Sequence, residues 1–202
     1  LPIWSTRVTD MVDRPMLDFV RGFIASHDPI ATKLKRRFPF RHLADHCFRC
    51  YRWAQRIAET EGGDADVAGI SALFHDIGKC VDSTQEGHAV AGAEICTQYL
   101  DGIGCDRAKR DRITRIVRHH IEHCRGQESS LEARIESDAD TLDETGAMAV
   151  LWDCMAQGAE AEQSYRLARD RVCRAYEDLQ ERPRASFQTE TEIGRASCRE
   201  RV

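Results

Sequence analysis

The sequence predicts an all-α fold, an irregular multi-helix bundle. Apolar residues recur at three- and four-residue spacing through most of the chain. Sustained alternation and β-branched runs are lacking. Proline and glycine punctuate the chain where helices should start and stop. Pro15 opens a first helix with Leu17, Phe19, Val20, Phe23 and Ile24 on its apolar face. Asp28-Pro29 joins a cap to a first-turn proline and opens a short helix that ends before Pro39. An amphipathic helix carrying Cys50, Trp53, Ile57 and Ala58 runs from about His42 to Glu61, where Gly62-Gly63 ends it. The next, Asp66 to Ile77 with Gly78 closing it, is apolar on most sides and belongs at the centre. His88 to Leu100 and Asp106 to about His123 form two more. Glu132 through Met155 reads as one long helix or two, and a charged helix from about Ala161 to Arg182 stops before Pro183.

Both ends of the chain stand apart. The first residue is Leu1 rather than Met, so the gene start is expected to be missing. Residues 193–202, Ile-Gly-Arg-Ala-Ser-Cys-Arg-Glu-Arg-Val, resemble translated sequencing adapter and are expected to be non-native. The expected organisation is N-terminal helices over 1–40 packed on the domain, a helical bundle over 41–182, and a truncated segment over 183–192. That length suits one domain with a sizeable core.

Composition narrows the functional classes. A formal charge of -5 argues against a nucleic-acid surface, which needs clustered Lys and Arg. The one dense basic run, Lys33-Leu34-Lys35-Arg36-Arg37, reads as a solvated helix face. No apolar run is long enough to span a bilayer, and a cytoplasmic location is expected. Nine cysteines are many for 202 residues. The length and patterning need no disulfide framework. Cys47-Phe48-Arg49-Cys50 has no second cysteine or histidine pair at zinc-finger spacing, so these residues read as small core side chains.

The chemistry centres on Leu73-Phe74-His75-Asp76-Ile77-Gly78-Lys79. A histidine and an aspartate do not enter an apolar segment cheaply unless something satisfies them, and a divalent metal does that. His46 lies upstream and Asp140 downstream, in Asp138-Ala139-Asp140-Thr141-Leu142-Asp143. His, then His-Asp, then Asp, in that order, resembles the HD-domain superfamily of metal-dependent phosphohydrolases, in particular its small standalone HDIG-type members. The resemblance runs from about Arg41 to Trp152. It implies a helical bundle with a metal site between central helices, ligated by His46, His75, Asp76 and Asp140. Two imidazoles and two carboxylates suit Mn, Fe, Co, Ni or Zn.

A second ion is the open question. His88-Ala89-Val90-Ala91-Gly92-Ala93-Glu94 resembles a segment of many superfamily members, and Arg118-His119-His120-Ile121-Glu122-His123 follows later. Helical spacing from Ile113 through Ile116 and Val117 turns His120 inward and His119 to one side. His88 and His120, with Asp76 bridging, form a second site by this resemblance. The alternative is a single ion, with these histidines contacting substrate phosphate or serving as acid catalysts. The resemblance gives Lys79 a phosphate-binding role, and complementing a helix C-terminus is its structural alternative. After His119-His120 there is no Asp-Gly-x-Gly-Tyr-Pro stretch, so the cyclic-dinucleotide branch does not fit. The expected function is hydrolysis of a phosphate ester, a nucleotide or other small phosphorylated metabolite, by a metal-activated water, with Asp76 and Lys79 catalytic. A di-iron oxygenase on the same scaffold and a non-catalytic metal-binding module are the alternatives. Neither nucleic acid nor membrane is an expected partner.

Overall fold

The computed structural model describes residues 14–27, 42–82, 84–122, 129–143, 147–158, 162, 164–174 and 187–190. No strand occurs among the described residues. The helices are α1 (Arg14–His27), α2 (Leu43–Glu61), α3 (Ala65–Phe74), α4 (Gln85–Gly102), α5 (Arg107–His119), α6 (Leu131–Asp143) and α7 (Ala147–Gly158). Short 3-10 turns cover Ile77–Cys80 and His120–Glu122, and α8 covers 165–174. The stretch expected as one helix or two is therefore two, α6 and α7. The Asp28-Pro29 helix, the Lys33–Arg37 run, His123 and residues 193–202 lie outside the described residues, as does the last expected helix beyond 174.

Helix α3 is the hub. Its cap is Asp64, whose side chain accepts from the Val67 N–H at 3.1 Å. Every residue from Val67 to Phe74 is buried, as befits a helix apolar all round. Helices α2, α5 and α6 pack against it. Helix α1 lays Met16, Val20 and Ile24, spaced every four residues, across α2 and the first 3-10 turn. A second apolar cluster joins Ile57 and Ala58 of α2 to Ile135, Ala139 and Leu142 of α6, with Phe187 added from the far end of the chain. Asp138 secures that segment, accepting from the Gln188 N–H at 2.9 Å, the Thr189 N–H at 2.8 Å and the Thr189 hydroxyl at 2.7 Å.

The helix expected to reach Ile77 stops at Phe74. His75 keeps helical angles, but Asp76 leaves them (φ -102°, ψ -1°), and Ile77–Cys80 tighten into the 3-10 turn. The turn runs directly against the backbone of α4. A Cβ on Gly78 would lie 2.0 Å from the His88 carbonyl oxygen and 2.5 Å from the Gly92 nitrogen, and one on Gly92 would meet the His75 carbonyl oxygen at 3.3 Å. These two glycines are what let α4 carry His88 up to the turn that carries Asp76. The N-cap of α4 is Thr84, accepting from the Gly87 N–H, and that of α5 is Asp106, accepting from the Lys109 N–H. Among the described residues the cysteines are free thiols. No described helix is long and apolar enough to cross a membrane.

Candidate metal centre

Four histidines and two aspartates from five parts of the chain meet under the surface. His46 comes from α2, His75 and Asp76 from the end of α3, His88 from the first turn of α4, His120 from the turn after α5, and Asp140 from α6. All but Asp140 are buried, and the Asp140 side chain is 19% exposed.

Hydrogen bonds set the four rings. His46 Nδ1 lies 2.7 Å from Asp143 Oδ2, His75 Nδ1 2.8 Å from the Ala72 carbonyl, His88 Nδ1 2.8 Å from the Thr84 carbonyl and His120 Nδ1 2.7 Å from the Val117 carbonyl. Carbonyl and carboxylate oxygens only accept, so each Nδ1 carries the hydrogen and donates it. That leaves each Nε2 as the atom offered to a metal, held by an outer hydrogen bond as metal-binding imidazoles are.

The Nε2 atoms converge in pairs. His46 and His75 approach to 3.2 Å, and His88 and His120 to 3.0 Å. Asp140 Oδ1 lies 3.3 Å from His46 Nε2 and 3.6 Å from His75 Nε2. Asp76 faces both pairs. Its Oδ2 is 3.6 Å from His46 Nε2 and 3.5 Å from His75 Nε2, and its Oδ1 is 3.6 Å from His88 Nε2 and 3.7 Å from His120 Nε2. Ligands about 2.1 Å from a shared ion lie roughly 3.0–3.4 Å apart, close to these separations. The atoms fall into two groups that could each hold a borderline metal ion, His46, Cys50, His75 and Asp140 in one and Asp76, His88 and His120 in the other, with Asp76 Oδ2 also facing the first pair of imidazoles.

The electrostatics agree. Burial pushes the His75 imidazole down, but Asp76 and Asp140 overcome it and raise it to about 10. His46 is likewise raised against burial by Asp140 and Asp143. Burial opposes the charge on Asp76, yet His75, His120 and Lys79 hold its carboxyl well below the usual range. Burial pushes the His88 imidazole below its ordinary value. The pocket of His46, His75, Asp76 and Asp140 therefore demands positive charge, from protons or from a cation.

Around the donors, Arg49 forks onto Asp143 at 2.5 and 2.9 Å, fixing the carboxylate that orients His46. Lys79 donates to Asp76 from a half-exposed position, with its side chain 42% exposed. Cys50, expected as a plain core residue, lies in the core with its Sγ 3.6 Å from His46 Nδ1. His119 stays outside the convergence. It is exposed and pairs with Glu122 at 2.8 Å, because adjacent helical residues point about 100° apart. With Arg115 and Arg118 it lines a separate groove between α4 and α5.

The sequence reading missed Glu136. It lies on α6 one turn before Asp140, 1% exposed, with no hydrogen-bond partner on either carboxylate oxygen. Burial pushes its carboxyl up to about 7 against the pull of His75 and His120. The spacing Glu136, Asp140, Asp143 was the available signal, since residues four and three apart share a helix face.

The family model for the HD domain matches residues 43–145, a span that contains all six donors. The chain belongs to the HD-domain family. It is 34% identical over 129 residues to ribonuclease Y of Thermotoga petrophila, covering 61% of this chain and 24% of that protein. The HD chain thus spans about a quarter of the length of this relative. A predicted HD superfamily hydrolase from an uncultured Thermotogales bacterium has a solved structure that matches with a TM-score of 0.58 and 29% identity, covering 83% of this chain and 89% of that one. Bacillus subtilis YpgQ matches with a TM-score of 0.62 over 95% of this chain and 91% of that one; at 21% identity it shows a shared fold. The HD family and its hydrolase members support a metal-dependent hydrolase.

Proposed function

We propose that this chain is a divalent-metal-dependent phosphohydrolase that cleaves a phosphate ester of a nucleotide or another small phosphorylated metabolite. The observation that carries the reading is the convergence of four Nε2 atoms on the two oxygens of Asp76. His46, His75, Asp76 and Asp140 hold one ion, and Asp76, His88 and His120 hold a second. Ions so placed activate water as a nucleophile and polarise a phosphoryl oxygen. Asp76 keeps the two groups in register. Lys79, half exposed beside Asp76, meets the anionic phosphate at the mouth of the site and neutralises charge as the leaving oxygen departs. His119 lies too far round its helix for the ion groups and contributes at most at the outer groove.

The name of the ribonuclease Y relatives supports attack on a phosphate ester, while the net charge of -5 supports a small substrate over a polynucleotide. A di-iron oxygenase is the second reading, because Asp76, His88 and His120 form a second group that could hold a metal ion.

The test is elemental analysis of protein purified without chelator, with phosphate-release assays on nucleotides, phosphomonoesters and a short oligoribonucleotide in Mn, Co, Ni and Mg. Metal-dependent release from small substrates, lost in Asp76→Ala, is expected. Two tightly held irons with oxygen consumption and no phosphate release would install the oxygenase reading instead.

A further inference from the structure

Glu136 is the one described residue in this pocket whose charge nothing explains. Both carboxylate oxygens are buried and unpartnered. A desolvated carboxylate without a hydrogen bond or counter-charge in contact is costly, and such groups persist where a ligand completes them. Its helix face points at the centre, because Asp140, one turn on, reaches His46 and His75, and Asp143, two turns on, reaches His46. The charges it senses are His75 and His120, one from each donor pair, together with Asp140 and Asp76. The rings of His75 and His120 meet edge to face at 5.3 Å, so the histidine charges that act on Glu136 come from both groups.

The groups are unequally supplied. His46, His75, Asp140 and Asp76 Oδ2 serve one ion, while Asp76 Oδ1, His88 and His120 leave the other with a single carboxylate oxygen. Glu136 belongs to neither set of atoms lying within 4.8 Å of one another, which puts it beyond direct ligation with the rest.

We propose that Glu136 is a further cation-binding carboxylate of this centre, which holds the ion of the Asp76–His88–His120 group through an intervening water. The proposal rests on the metal-centre reading above and adds that the second ion depends on a residue on α6. Its charge offsets the excess positive charge that a second divalent ion brings to a site already holding one. Without the ion, the same charge is a burden to the fold.

Those opposite signs give the test. Metal-free wild type and Glu136→Gln are titrated with Mn2+ by calorimetry, and their thermal unfolding is followed with and without Mn2+. Wild type should take up two ions. The Gln variant should bind the first within about threefold of wild type and the second at least about tenfold more weakly. It should also melt higher than wild type when metal-free and gain less from Mn2+. Two ions bound with unchanged affinity would overturn the proposal, as would a Gln variant that is less stable or unfolded when metal-free, since that marks a structural role. A wild type that binds one ion would remove the second site and leave the mononuclear hydrolase standing. A wild type that binds none would remove both.

Discussion

Gly78→Ala should damage the protein more than any other one-methyl change near the centre. The added Cβ would sit 2.0 Å from the His88 carbonyl oxygen and 2.5 Å from the Gly92 nitrogen, both backbone atoms of α4. Ordinary contact requires about 3.5 Å, so the turn and α4 must separate by roughly 1–1.5 Å. Overpacking of this kind costs about 1–3 kcal/mol. At about 2–4 °C per kcal/mol for a chain of this size, the melting temperature should fall by about 2–12 °C. The same movement draws His88 from Asp76 Oδ1, now 3.6 Å away. The ion shared by Asp76, His88 and His120 should therefore weaken at least about tenfold. The ion held by His46, His75 and Asp140 should suffer less, because none of those three lies on α4. Thermal unfolding by circular dichroism and Mn2+ calorimetry read the two effects. A melting temperature within about 1 °C of wild type, with both ions bound normally, would refute the close-packed turn.

Other changes should give distinct signatures. Asp143→Ala strips His46 Nδ1 of its acceptor and should weaken Mn2+ binding by about 10–100-fold; its Arg49 pair, with a side chain 35% exposed, should add little. Unchanged affinity on titration would discard that outer role. Asp138→Ala leaves two backbone N–H groups and the Thr189 hydroxyl without an acceptor. It should cost about 1–3 kcal/mol, with faster hydrogen exchange at Thr189; normal exchange there would count against the tether. The metal-free protein should become more stable as pH falls from about 10 to about 6.5, below which His88, lowered by burial, opposes the trend. His75, raised to about 10, contributes stability that is complete below its ordinary value of 6.5 and is lost as pH rises through 10. Glu136, raised to about 7, penalises the fold above that pH and is relieved as pH falls toward 4.5. A melting temperature that is flat or falls across this window would sink the assignment.

The helices and the His-Asp centre were legible because both leave local marks. Asp64 and Asp106 cap helices within two residues of where the sequence pattern begins them, while Thr84 caps α4 four residues before the expected start at His88. His120 faces inward, continuing the phase of Ile113, Ile116 and Val117. What escaped was set by contacts across the fold. Nothing local marks Ile77 as outside α3; the break follows from α4 pressing on Gly78. Nor does local sequence reveal that Arg49 and Asp143, 94 positions apart, form one clamp on His46. Glu136 escaped because a glutamate on a helix is ordinarily solvated, and only the packed structure shows that this one is buried.

The break at Asp76 is what allows neighbouring residues to face two groups of donors. Consecutive positions on a continuous helix diverge by about 100°, so His75 and Asp76 could not both address one point if α3 ran on. His75 ends the helix and keeps its Nδ1 on the Ala72 carbonyl, while Asp76 turns off at φ -102°, ψ -1°. That turn swings the carboxylate back beside His75 Nε2, with the second oxygen left for His88 and His120. The turn holds only because Gly78 admits α4, and the position of α4 places His88. The glycine two residues past the aspartate is thus as much a part of the centre as the ligands. A longer side chain there would press on the His88 backbone and separate the two donor groups without touching a donor atom.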